Sequence, residues 1–371
     1  NPMMGIWLTS VRSSKTKPNE NYGREIMQLF SIGLEHLNRD GTFKRDVSGN
    51  AIPTYTQTEI VELSRALTGW TFAGSPSFTS SGPVLDQINP MIAFEDQHDR
   101  DVKVILGGAT IPAGQTAYQD MKRGVDVIFN HPNVGPFIAR RLIQRLVTSN
   151  PSAAYIYRVA GKFDNNGAGV RGDLAAVVKS ILCDSEARNP LPEAAGGKVS
   201  EPILRLVRLL RAFPKPPSDS SPVLGRYMLN NMREKFNQAP FQSPTVFNFF
   251  HVNFQPQGPI QNAGLVAPEI EIHNPLSTTD TSNYFFDGVR YGFPSDASPS
   301  VSLDLAGLIA LAATPDALLA RIETLLLARP MSADLRSSLL SIHTAYAGSP
   351  TEQVQNILSA LCSVPEFVVE R

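Results

Sequence analysis

Apolar residues recur at helical spacing along most of the chain. In NENYGREIMQLFSIGL (19–34) Tyr22, Ile26, Leu29, Phe30 and Gly33 fall on one side, behind Asn19 as an N-cap. YTQTEIVELSRALTGWTF (55–72) opens with a capping box, Thr56 with Glu59, and Gly69 closes it. Both stretches predict helices that are apolar round most of their circumference and carry one narrow stripe of charged and amide groups. Between them, GTFKRDVSGNAIPTY has a Ser-Gly-Asn centre with short extended flanks, which predicts a small hairpin. VKVILGG (102–108) is a further short strand. More helices are predicted near 115–130, 133–148, 151–160, 172–186, 198–213 and 222–236. The last four are predicted near 303–313, 315–328, 332–347 and 351–363, with Pro315 after Thr314 and Asp334 after Ser332 as helix starts.

The periodicity fades between 237 and 302, a stretch rich in Pro, Asn and Ser. That stretch still holds Phe241, Phe247, Phe249, Phe250, Phe254, Tyr284, Phe285, Phe286, Tyr291 and Phe293. A disordered linker would lack such aromatics. A long ordered loop is expected, wrapping over the helices and closing a cleft. The fold class that follows is mainly α: a large, bundle-like, multi-helix domain with one or two small β-hairpins and this aromatic-rich loop. A helical region 1–200 holds the two polar-stripe helices and the hairpins. A second, 201–371, holds the loop and packs with the first as one unit.

Composition narrows the function. The 371 residues are 42% hydrophobic and 18% charged, with 29 prolines, so a sizeable core is available. Net charge is −1, which supplies no field for nucleic acid. The row Arg205, Arg208, Arg211 is therefore not read as a nucleic-acid surface, and binding of an anion or a substrate carboxylate stays open for it. No apolar run is long enough to span a membrane. The Asn-Pro-Met-Met start suggests that upstream sequence has been removed. Cys183 and Cys362 sit in apolar helical contexts and are expected as buried thiols, a single disulfide being the alternative. No Cys-x-x-Cys pair exists for a metal.

The polar stripes carry the candidate chemistry, because a buried carboxylate or guanidinium is costly unless paired or used. Asn21, Glu25 and Gln28 share a face of the first helix, flanked by Arg24 and Ser31, and Glu20 and Arg24 form an i,i+4 pair. Glu62 and Arg65 lie three apart on the second. Antiparallel packing would bring Glu25 towards Arg65 or Glu62. That arrangement makes either an internal Arg–Glu network or a site whose two carboxylates divide acid and base work. In FEDQHDRDVKVILGG, His98 and Asp99 stand among Glu95, Asp96, Asp101 and Lys103. They make a base, a metal ligand or a solvated acidic loop. FDNNGAGVRGD places Asp164 and Asn166 at calcium-loop spacing but lacks that loop's glycine and its bidentate glutamate, so it reads as a tight turn. Asn237, Gln238, Gln242 and Asn248 interleave amides with aromatics, a mixture that suits sugars or loop backbones. No G-x-S-x-G, H-E-x-x-H, Walker loop or G-x-G-x-x-G is present, which disfavours the common serine hydrolases, zincins, kinases and Rossmann enzymes.

ENYGREIMQLFSIGL, YTQTEIVELSRALTGWTF, the HD…K…ILGG segment, HPNVGPFIARRLIQRLV and FQSPTVFNFF together resemble the bacterial domain-of-unknown-function family numbered 1800. The resemblance runs to the SVPEFVV segment near the C-terminus. It implies an exported, extracytoplasmic protein with a sulfatase-like genomic neighbour as a possible protein partner, and transfers no catalytic residue. Typical members have alanine where this chain has Gly23.

The functional expectation is a hydrolase of a polymer, a polysaccharide above all, needing no cofactor and no metal. Glu25 and Glu62 are its carboxylates and Arg24 and Arg65 tune them. Tyr22, Trp70, His98, Asp99, Asn237 and Gln242 line the substrate cleft. The alternatives are a non-enzymatic scaffold for the neighbour, and a metal-dependent enzyme centred on His98.

Overall fold

The structure, a computed structural model, describes residues 1–80, 85–189, 196–215, 229, 232–294 and 300–370. Among the described residues there are seventeen α-helices, about 49% of the chain, and a few two-stranded antiparallel sheets. The mainly α fold is therefore the one the helical periodicity predicts. The chain divides into two compact units, Asn1–Ile143 with Pro151–Asp184, and Gln144–Asn150 with Ser185–Arg371.

The first unit begins with α1 (Pro2–Trp7) and α2 (Glu20–Gln28). Asn19 caps α2 as expected, its Oδ1 accepting from the Asn21 amide at 2.9 Å. The helix stops well short of the end that 19–34 suggests. Ile32 and Gly33 N–H both turn back to the Met27 carbonyl, with Gly33 at φ +75°. A hairpin of isolated bridges follows, Leu37 with Phe43 and Arg45 with Ala51. Next come α3 (Gln57–Ala66), β1 (Trp70–Thr71) paired with β2 (Ile92–Ala93), and β3 (Lys103–Ile105) paired with β4 (Ala109–Ile111). The capping box at Thr56 is present, Glu59 accepting from the Thr56 amide at 2.8 Å. Helices α4 (Ala117–Asn130), α5 (Val134–Leu146), α6 (Ala153–Asp164) and α7 (Leu174–Cys183) follow. α5 carries the chain into the second unit. The Asp164–Asp173 segment is the tight turn expected, its Asn165 and Asn166 side chains accepting from the backbone of 167–170.

Helices α2 and α3 touch because Gly23 lets them. A Cβ there would lie 2.6 Å from Ser64 Oγ and 3.5 Å from the Ile60 carbonyl. Ser64 Oγ is itself tied to that carbonyl at 2.8 Å. Gly23→Ala alone is expected to be neutral or destabilising, although alanine is the better helix former by about 1 kcal/mol. On a Ser64→Ala background the same change should recover most of that gain, read by urea unfolding at unchanged slope.

The second unit contains α8 (Ser185–Arg188), β5 (Lys198–Val199), α9 (Pro202–Ala212), α10 (Met232–Phe236) and α11 (Pro259–Asn262). It continues with a 3₁₀ helix Pro268–Ile272 and helices α12 (Pro275–Tyr291), α13 (Ala306–Ile309), α14 (Pro315–Leu326), α15 (Ala333–Ala345), α16 (Pro350–Leu361) and α17 (Pro365–Val368). The strand β6 (Val369–Glu370) closes the unit by pairing with β5. Most of the helix expected near 222–236 lies outside the described residues. The core is built from Leu206, Phe236, Phe285, Phe293, Leu318 and Ile357 with their neighbours.

Two expectations are corrected here. The stretch 237–302 is not one loop, since α12 takes seventeen of its residues. Its buried stripe, Ser277, Thr281, Tyr284, Phe285, Gly288 and Val289, keeps helical spacing but starts with small polar residues. Cys183 is exposed and free; only Cys362 is a buried thiol. The buried residues of α7 are Val177 and Ile181, and Cys183 stands about 200° round the helix from Ile181.

Candidate functional site

Two polar constellations occupy opposite sides of the α2–α3 pair. On α3 the residues facing α2 are Ile60 and Ser64, which surround Gly23. At about 100° per residue, Glu62 lies on the far side of α3 from that contact. On α2, Glu25 stands about 200° round from Gly23 and so points away from α3. The two carboxylates expected to meet therefore diverge.

Beyond α3, Arg65 gathers the first constellation. Its Nε and Nη2 bind Asp99 at 2.8 and 3.1 Å, while Nη1 binds both oxygens of Glu62 at 2.8 and 2.9 Å. Glu62 also accepts from the Val104 amide at 3.1 Å, tying α3 to β3. The hydrogen bonds Arg65 donates to Asp99, and then those to Glu62, outweigh burial and raise the guanidinium's proton affinity above its ordinary value. Burial pushes the Asp99 carboxyl up, but Arg65, the Asp101 amide and the Lys103 charge outweigh it and set it below the usual range.

The network then passes inward. Lys103 Nζ, wholly buried, donates to Asp120 Oδ2 at 2.7 Å and to the carbonyls of Asp99 and Asp101 at 2.6 and 2.9 Å. His98, also buried, sits with Nδ1 3.0 Å from the Thr68 carbonyl and Nε2 3.1 Å from Asp120 Oδ2. A carbonyl only accepts, so Nδ1 carries a proton. The Nε2 contact is a hydrogen bond when that nitrogen is protonated too. The other oxygen of Asp120, Oδ1, is buried without a hydrogen-bond partner. Gly69, at φ +90°, makes room, since a Cβ would lie 3.1 Å from His98 Cβ. His98 and Asp99 are therefore not a solvated loop. Both ring nitrogens of His98 are engaged. Among the described residues no group of three or more His, Cys, Asp or Glu is placed to hold a metal. The donor set does not fit the metal-centred alternative.

Asp120 was not among the sequence candidates. Its signal was there: Ala117, Asp120, Gly124 and Ile128 form the buried stripe of α4, and an aspartate in such a stripe needs cationic partners.

The second constellation surrounds Glu25, 8% exposed. Its Oε2 is buried without a hydrogen-bond partner, and its carboxyl has no ion pair among the described residues. Burial pushes it above the usual carboxylate range, and the nearby Arg24 charge only partly offsets this. Arg24 itself reaches Glu20 and Gln57, each at 3.2 Å. Tyr55, whose hydroxyl is also buried and unpartnered, lies within the field of Arg24 and Glu25. Burial raises the phenol of Tyr22, half-buried on α2. Trp70 is half-buried in β1 with its indole N–H unpartnered.

Asn237 and Gln242 belong to the second unit. Asn237 donates to the Ile272 carbonyl at 3.0 Å, which makes it a loop tie. Gln242 is exposed beside Phe241, which is fully exposed with φ +59°. Asn237 and Asn248 also have positive φ, at +53° and +72°. Three such non-glycine residues within one segment mark backbone held in costly conformations.

A family model described as "Protein of unknown function (DUF1800)" matches residues 1–369, nearly the whole chain. No curated protein and no solved structure matches it.

Proposed function

The chain belongs to the DUF1800 family of proteins of unknown function, and from that premise we propose that it is an exported hydrolase of a polymer, a polysaccharide above all, with Glu25 as its proton donor. One observation carries the reading. Glu25 is a nearly buried carboxyl with no ion pair among the described residues and with Oε2 unpartnered, and burial raises its proton affinity more than the Arg24 charge lowers it. A carboxylic acid whose proton affinity is raised by burial is better suited than an ordinary one to deliver a proton to a leaving group. Tyr55 and Tyr22 stand near it as neutral hydroxyls. Glu62 is not its partner in this scheme, since Arg65 and the Val104 amide already take both of its oxygens. Within the second unit taken by itself, the exposed Phe241 ring, at φ +59°, and the exposed Gln242 amide offer the flat apolar face and planar hydrogen bonding that suit a sugar. An extracytoplasmic setting goes with this reading and is checked by fractionating cells that express the full-length gene. The direct test is purified protein against a panel of polysaccharides, read as new reducing ends. Activity on one of them, lost in Glu25→Gln, is expected; full turnover by that variant would refute the role.

A second reading is favoured by the Arg65–Glu62–Asp99–Lys103–Asp120–His98 network, whose members pair chiefly with one another. On that reading the protein is a non-enzymatic scaffold for a partner such as the sulfatase-like neighbour. Co-purification of that partner by wild type and by Glu25→Gln alike, with no polymer cleaved by either, would favour it.

A further inference from the structure

In the first unit, α4 packs against α3 and β4 and buries the stripe Ala117, Asp120, Gly124 and Ile128. On β3 the buried positions are Lys103 and Ile105, with Lys103 opposite Ile111 of β4. A lysine and an aspartate thus hold places that the local pattern gives to apolar side chains. Both side chains are wholly shielded from solvent. The same elements contribute Leu63, Ile105, Ile111 and Ile128, none more than 4% exposed.

Distance alone does not set this pair apart. Lys122 and Asp126, on the outer side of α4, approach to 2.6 Å, but both are exposed and water keeps both ionised. Lys103 Nζ lies 2.7 Å from Asp120 Oδ2 with no water to solvate either charge. Its other two acceptors are the carbonyls of Asp99 and Asp101, at 2.6 and 2.9 Å. His98 Nε2 stands 3.1 Å from the same Oδ2, so a proton carrier touches the oxygen that the amine faces.

We propose that Lys103 and Asp120 close an intramolecular isopeptide bond, Nζ to Cγ, with loss of one water. The ion pair is its precursor. The proton on the short hydrogen bond passes from Nζ to Oδ2 and leaves a neutral amine and a neutral acid, which a site without water favours over two ions. The Asp99 and Asp101 carbonyls keep the two remaining N–H groups, so the freed lone pair faces the carboxyl. Its attack on Cγ forms the C–N bond. The C–Oδ2 bond then breaks and Oδ2 leaves as water. The second proton it needs comes from His98 Nε2, and the nitrogen restores that proton as the amide forms, so His98 ends as it began. Oδ1, which has no hydrogen-bond partner, stays as the amide oxygen. The balance needs no oxidant, reductant or co-reactant. Contact between the two groups replaces concentration, and effective molarities in such oriented pairs reach about 10⁵–10⁸ M. The bond would staple β3 to α4, and it is independent of Glu25.

The test is intact-mass spectrometry of the full chain, held folded at neutral pH until its mass is constant and then denatured. The wild type should be lighter than its sequence by one water, and digestion should yield a branched peptide joining residues 103 and 120. Lys103→Arg, which keeps the charge, and Asp120→Ala should both have full mass. Lys122→Ala should keep the wild-type loss. His98→Gln should form the crosslink about 10²-fold more slowly, the lower end of what a positioned acid contributes. Formation at the wild-type rate would strike His98 from the scheme. Should the variants at 103 or 120 fail to fold, the branched peptide of the wild type still decides. Full sequence mass in the wild type, or a lost water located anywhere but this pair, would overturn the proposal.

Discussion

Asp120→Ala is expected to destabilise the protein by about 3–5 kcal/mol, a large fraction of the ~5–15 kcal/mol that holds a domain together. The carboxylate is fully buried, and its Oδ2 receives both the Lys103 ammonium and the His98 ring. Without it the ammonium keeps the carbonyls of Asp99 and Asp101 but no directly bonded anion. Asp99 Oδ1, at 3.6 Å, is the nearest compensating charge. Removing one partner of a buried pair is worse than removing both. The double variant Lys103→Met/Asp120→Leu should therefore lose much less stability than the sum of the two single losses. Urea unfolding of the four proteins at a common slope gives the coupling directly. Additive losses would mean that the two groups do not hold one another.

Glu25→Gln is expected to do the opposite to stability and to abolish activity. The amide has nearly the shape of the acid and cannot ionise. Because burial raises the folded-state proton affinity of Glu25, the folded protein holds that proton more tightly than the unfolded chain does. The favourable contribution is complete below the ordinary value of 4.5 and is lost as pH rises through the raised folded value. At neutral pH the wild type therefore carries a penalty that the Glu25→Gln variant lacks. The variant should unfold at equal or higher urea concentration there, with the advantage shrinking in acid. Turnover on an active polymer should fall by roughly 10²–10⁴-fold, the usual contribution of a positioned acid. Loss of function with gain of stability is the signature of a residue kept for use. A variant both unstable and inactive would place Glu25 with the structural groups.

The helices were legible wherever apolar residues marked the buried face, as in α4, α9 and α16, and so were the caps at Asn19 and Thr56. α12 was missed because its buried face opens with Ser277 and Thr281, whose apolar content is low. Its start was nonetheless written in the capping box of Asn274 and Ser277, with Pro275 in the first turn. The polar stripes of α2 and α3 were legible as unusual, but their directions were not. Helical spacing says which residues share a face and not which neighbour that face meets. Gly23 decides it here, by seating Ser64 and turning Glu25 and Glu62 apart. Asp120 was missed because it sits on a later helix, away in sequence from the loop around His98 that holds its partners. Arg205 was seen as one of a row, yet it is buried while Arg208 pairs with Glu370.

Glu25 is set apart from the ion-paired network around Arg65 on the other side of α3. The most direct measurement is titration of the Glu25 side-chain carboxyl by carbon NMR in the folded protein, assigned with Glu25→Gln. A midpoint above the ordinary 4.5 is predicted. A midpoint at or below it would mean that a cation or donors neutralise this carboxylate, and would contradict the central claim.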